Sequence, residues 1–141
     1  MINRTKDAIF LILIFIFSGC GGVVGNIERY QFDLTKDSLD FLVAEIYIRF
    51  PELNVPDTSI YKEDNNIKLC MIQDGERKIV FGFCSLRYND NGIEKNNASE
   101  IVLTHAGVYG EILKFDKDLS FYKKYSYKKL FKSQFIAKLT H

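Results

Sequence analysis

Histidine and cysteine are scarce in this chain, with two and three copies among 141 residues, and no sign of charge is in excess: 19 basic residues face 18 acidic ones. The balance removes the bulk electrostatic attraction on which nucleic-acid binding rests. Two histidines leave little for a triad or a zinc site, and no serine-centred elbow, His-Glu zinc pair or phosphate-binding glycine loop occurs. Gly, Pro and Ser cluster nowhere beyond the stretch that follows Cys20, and neither an internal repeat nor a low-complexity tract is present. Long hydrophobic runs are missing too. Ala8 to Phe17 has ten apolar residues, which as a helix measure about 15 Å, half of the ~30 Å that a membrane span must cross.

What the run does have is a set of flanks. Arg4 and Lys6 precede it and the small residues Ser18 and Gly19 follow, in the order of a secretory signal peptide. Phe17-Ser18-Gly19-Cys20 then resembles the lipobox of bacterial lipoproteins, in which a large apolar residue and two small ones precede an invariant cysteine. The resemblance implies that residues 1–19 are a signal peptide, that Cys20 becomes the mature N-terminus, and that its thiol carries a diacylglycerol with further acylation at the amine. Phe17 departs from the commoner leucine; an ordinary cleaved signal or an uncleaved anchor is the alternative. Two or more acyl chains attach durably, since each buried methylene contributes about 0.8 kcal/mol. Gly21 is not the aspartate that retains lipoproteins at the inner membrane of some enteric bacteria, so the expected location is the outer membrane, facing the periplasm. Residues 20–29 read as the lipidated N-terminus and tether. From Cys20 to Tyr30 they reach about 33 Å at full extension.

Residues 30–141 are expected to form a single α+β domain. Tyr30, Phe32 and Leu34 alternate with polar residues as a short strand. Thr35 is placed to cap a helix in which Leu39, Leu42, Val43, Ile46, Phe50 and Leu53 make one apolar side, ending near Pro51. Ile67–Gln73 and Lys78–Leu86 flank Asp74-Gly75 as a β-hairpin, Asn89-Asp90-Asn91-Gly92 opens a polar loop through Asn97, and 101–104 and 111–115 read as two further strands. Leu119 to Leu139 is the C-terminal helix, with Tyr127, Leu130, Phe131, Phe135 and Leu139 on its apolar side. The expected architecture is thus an N-terminal helix, a meandering antiparallel sheet of about four strands, and a C-terminal helix. The Tyr30-x-Phe32 start, the helix ending near Pro51, the hairpin and the final KKLFKSQFIAKL resemble small lipoproteins of Bacteroidota. That likeness implies the same fold and carries over no activity.

No catalytic, cofactor or metal residues are assigned. His105 reads as an ordinary turn or surface histidine, because no nucleophile and orienting acid can be matched to it. Asp64-Asn65-Asn66 and Asn89-Asp90-Asn91-Gly92 lack the ligand spacing of a calcium loop and read as turns. Asp37-Ser38-Leu39, which matches a short O-glycosylation motif, reads as a helix start. A two-residue turn at Asp74-Gly75 places Cys70 opposite Ile79 and leaves Cys84 several positions along the ladder, so both are expected to be unbonded.

Two features point to surfaces. Phe41, Ala44 and Ile48 form a second apolar strip on the first helix, opposite the main one. Cover by the C-terminal helix is the expected arrangement, and a partner surface the alternative. Seven lysines between Lys117 and Lys138 make the tail basic, as a solvated face or, through Lys128, Lys129 and Lys132, as a contact for anionic lipid. The function expected is a non-catalytic interaction or accessory module, bound to the membrane through acyl chains on Cys20, with an envelope protein as partner. A ligand-binding or inhibitor lipoprotein is the alternative, and an enzyme the third. A flat apolar patch would favour the first and a concave aromatic pocket the second.

Overall fold

The computed structural model describes residues 26–61 and 66–140, so the readings at Cys20, in the leader, at Asp64-Asn65 and at His141 lie outside the described residues. The chain runs β1 (Glu28–Phe32), α1 (Lys36–Arg49), β2 (Lys68–Asp74), β3 (Arg77–Asp90), β4 (Ile93–Val108), β5 (Lys114–Phe115) and α2 (Phe121–Phe131), which continues through a π-helical turn (Lys132–Ile136) to Leu139. The sheet is antiparallel and open, in the order β1-β4-β3-β2, with β5 also pairing β4. This is the α+β architecture expected, with a helix at each end of a meandering sheet. The first strand starts two residues before Tyr30, and Ile27 is already part of the core.

Both helices begin where a hydroxyl can cap them. Thr35 Oγ1 accepts from the Ser38 N–H at 3.2 Å, and Ser120 Oγ from the Lys123 N–H at 3.3 Å. Each cap satisfies an amide that the first helical turn leaves without a partner. α1 ends at Phe50, with Pro51 opening a short 3-10 turn.

The two helices lie on one face of the sheet. Leu39, Val43 and Ile46 of α1 and Phe131 and Phe135 of α2 pack on Phe81, Phe83, Ile101 and Leu103. Phe131 stacks on Phe135 with centroids 5.0 Å apart, and Phe83 lies 4.9 Å from Phe135. Beneath the sheet a smaller cluster joins Tyr61, Met71, Val80 and Leu113. The Tyr61 hydroxyl accepts from the Gly110 N–H at 3.0 Å and so ties the two covering loops together.

Two strand readings are corrected. The first hairpin turns at Gly75-Glu76, not Asp74-Gly75, because Asp74 pairs Arg77. With φ +60° at Gly75, the glycine occupies the first central position of a type II′ turn. The register moves by two, which sets Cys70 opposite Phe81. The polar stretch before Asn97 is strand rather than loop: Asn91 and Gly92, at φ 53° and 83°, make a tight turn, and Asp90 pairs Ile93 while Asn89 pairs Glu94. Residues 91–97 are all exposed, so no alternation of hydropathy marks this ribbon in the sequence.

Candidate functional site

Position along α1 decides which residues reach the sheet. At about 100° per residue, Phe41, Ala44 and Ile48 point within about 40° of the direction opposite Leu39. The structure leaves that strip uncovered: Phe41 is 64% and Ile48 80% exposed, and Ala44 is exposed as well. The expected cover by the C-terminal helix is therefore corrected. α2 lies beside α1 on the same sheet face and meets it at the flank, where Tyr47 approaches Phe135 at 6.3 Å and Lys138 Nζ sits 4.8 Å from the Phe50 ring centre. A helix lying on the sheet cannot also cover its neighbour's outer side.

α2 presents a second outward stripe. Phe121, Tyr122, Tyr125, Lys128, Lys129 and Lys132 follow one another at helical spacing, opposite the buried Tyr127, Phe131 and Phe135. Phe121 and Tyr122 are 84% and 82% exposed, and Tyr125 60%. Sequence reasoning found the lysines and missed these three rings. The signal was available in the helical spacing: at about 100° per residue, Phe121, Tyr122 and Tyr125 fall about 120–160° away from Tyr127.

Beside this stripe, Glu28, Tyr30, Tyr125 and the three lysines line a shallow recess of about 550 Å³. Lys128 Nζ lies 3.5 Å from Glu28 Oε2. Lys129 and Lys132 are exposed and have no ion-pair partner among the described residues. Burial, with the charge of Glu28 adding to it, raises the Tyr30 phenol well above its ordinary value, so it remains a neutral donor, 3.4 Å from the Lys128 carbonyl. Arg29 also borders the recess, but its Nη1 is bonded to Glu100 Oε1 at 2.5 Å.

Asp40 and His105 are integrated into the fold. Asp40 of α1 takes hydrogen bonds from Lys36 at 2.7 Å, Lys68 at 3.1 Å and the Ser85 hydroxyl, tying the helix to β2 and β3. Burial opposes its charge, but the three donors together outweigh that and hold the carboxyl down to about 2. His105 is not at the surface as expected: it is 2% exposed, stacked 5.0 Å from Phe115 and 2.7 Å from Thr104 Oγ1. Its ring occupies the space over Gly82, where an added Cβ would fall 2.3 Å from Cε1. A glycine there leaves room for the imidazole. Cys70 is buried on the helix-covered face, and Cys84 lies on the opposite face; both are free thiols. The sheet separates them.

A further recess of about 480 Å³ is lined by Pro51, Leu53, Met71, Ile72, Lys78 and Lys138 and contains no aromatic ring. Among the described residues no group of three or more His, Cys, Asp or Glu side chains could hold a metal ion, and no helix is long and apolar enough to cross a membrane. No family model, no curated protein and no solved structure matches the chain.

Proposed function

We propose that this protein is a lipid-anchored cell-envelope protein acting as a non-catalytic interaction or accessory module, with an envelope protein docking on the outer side of α1. The observation that supports the reading is the uncovered strip of Phe41, Ala44 and Ile48, which sets two large apolar side chains in water on a rigid helix. Packing against the sheet does not require them, and contiguous exposed apolar residues of this kind mark contact surfaces. The lipobox resemblance at Cys20 supports the envelope location. Anchored there, the domain meets partners in or near the bilayer.

The test is in-cell photo-cross-linking with the probe residue at position 41 and, for comparison, at position 93 on the hairpin tip. A discrete adduct at 41 that is absent at 93 is the expected result. Identical patterns at both positions would reject the docking strip.

A further inference from the structure

The outward stripe of α2 combines two chemistries in a fixed order. Its first turn and a half carries Phe121, Tyr122 and Tyr125, and the following turns carry Lys128, Lys129 and Lys132. Over residues 121–132 this is a surface about 17 Å long. Tyrosine and phenylalanine rings are stable at the bilayer interface, where an apolar body meets lipid and a polar edge meets water. Lysines on the same helix are attracted to anionic headgroups within a Debye length of the surface. Rings and lysines side by side on one outward face have the composition of an interfacial contact.

β1 begins at Glu28, whose carboxylate pairs with Lys128, so the N-terminal end of the described domain abuts this stripe. Seven residues separate Cys20 from Glu28, eight Cα-to-Cα steps that reach at most about 29 Å. An acylated Cys20 therefore keeps the membrane within that distance of the lysine recess.

We propose that the α2 stripe is a second membrane contact, with Phe121, Tyr122 and Tyr125 at the interface of the bilayer and Lys129 and Lys132, assisted by Lys128, against the headgroups of anionic lipid. This rests on the lipid-anchored reading and adds an orientation to it: the domain lies on the membrane along α2 instead of swinging on its tether. Lys128 contributes least, because Glu28 already neutralises part of its charge.

The full chain, purified from its membrane and returned to vesicles of phosphatidylcholine with or without phosphatidylglycerol, provides the test. A spin label is placed at Tyr122→Cys or, as control, at Ile93→Cys, in a Cys84→Ser background, and its accessibility to a headgroup-bound and a water-soluble relaxing agent is compared. The expected result is that the label at 122, but not that at 93, becomes shielded from the aqueous agent and relaxed by the headgroup agent, and only where phosphatidylglycerol is present. Lys129→Gln with Lys132→Gln should weaken that docked state about 25-fold, at roughly fivefold per lysine. All substituted lysines and rings are at the surface, so the variants retain the fold.

A label at 122 as wet as that at 93 in anionic vesicles overturns the proposal. So does shielding that is seen only in native membranes and not in pure lipid, which would assign the stripe to a protein. Mass measurement of Cys20 is the separate readout of the anchor: an acylated chain with a wet label at 122 fails the α2 contact alone, and an unacylated chain fails the anchoring reading.

Discussion

Asp40 shows how a single side chain joins a helix to a sheet. Its carboxyl is held down to about 2 from an ordinary value near 3.8. A lowered carboxyl stabilises the fold fully above the unfolded value and loses that contribution as pH falls through the folded one. Asp40→Asn should therefore cost about 1–2 kcal/mol at neutral pH, after discounting for its partial exposure. The gap between variant and parent should close between about pH 4 and pH 2, read from denaturant midpoints across that range. Gly82 makes a steric prediction. Gly82→Ala drives a methyl into the His105 ring, which Phe115 stacks from the neighbouring strand β5. Overpacking of this kind costs about 1–3 kcal/mol. Because the two residues compete for one space, Gly82→Ala with His105→Ala should lose less stability than the two single changes added together, which a double-mutant cycle measures.

At the scale of elements, the C-terminal helix contains its own irregularity in its sequence. Tyr127, Phe131, Phe135 and Leu139 repeat every four residues, and all four are buried. In a regular α-helix such a repeat drifts by about 40° at each step. The wider π turn over Lys132–Ile136 takes up that surplus and keeps Phe131 and Phe135 packed against Phe81 and Phe83. Phe135→Ala should cost about 3–5 kcal/mol, because the stacked rings around it cannot close the cavity. Phe41→Ala is the contrasting case on the other helix. Uncovered on α1, Phe41 should change stability by less than about 0.5 kcal/mol, checked by thermal or denaturant unfolding. If the strip docks a protein as proposed, the same substitution should weaken the cross-linked adduct at this helix.

For the whole molecule, the prediction concerns attachment. Labelled fatty acid should enter at Cys20, and Cys20→Ser should release the protein from the membrane or block its processing; attachment unchanged in the absence of acylation would reject the anchor. On the readings proposed above, the two outward stripes divide between two contacts, α1 for a protein and α2 for lipid. They are separable by experiment, since neither shares a residue with the other or with the core.

Both helices and the first hairpin were legible from the residues, whereas the strand expected at 111–115 is only Lys114–Phe115 and that at 101–104 is part of the longer Ile93–Val108. Thr35, Pro51 and the spacing of Leu39, Val43 and Ile46 act within a few residues along the chain, through caps and helical periodicity; Gly75 marked the hairpin but not its register, which the pairing of Asp74 with Arg77 sets. Local physics of that range needs no fold to be read. The ribbon at 91–97 was not legible, because strands exposed on both sides pair through backbone groups that every residue carries. Tertiary structure alone decided which sides of the helices stay in water. Phe41 and Ile48 are as apolar as Leu39 and Val43, and the only difference is that the sheet lies under one pair while α2, docked on the same sheet face, cannot reach the other. It likewise decided the fate of His105, which a bulge at Thr104 and the absence of a side chain at Gly82 bring into the sheet's packing. Burial depends on where a second element comes to rest, and that is a property of the assembled layers.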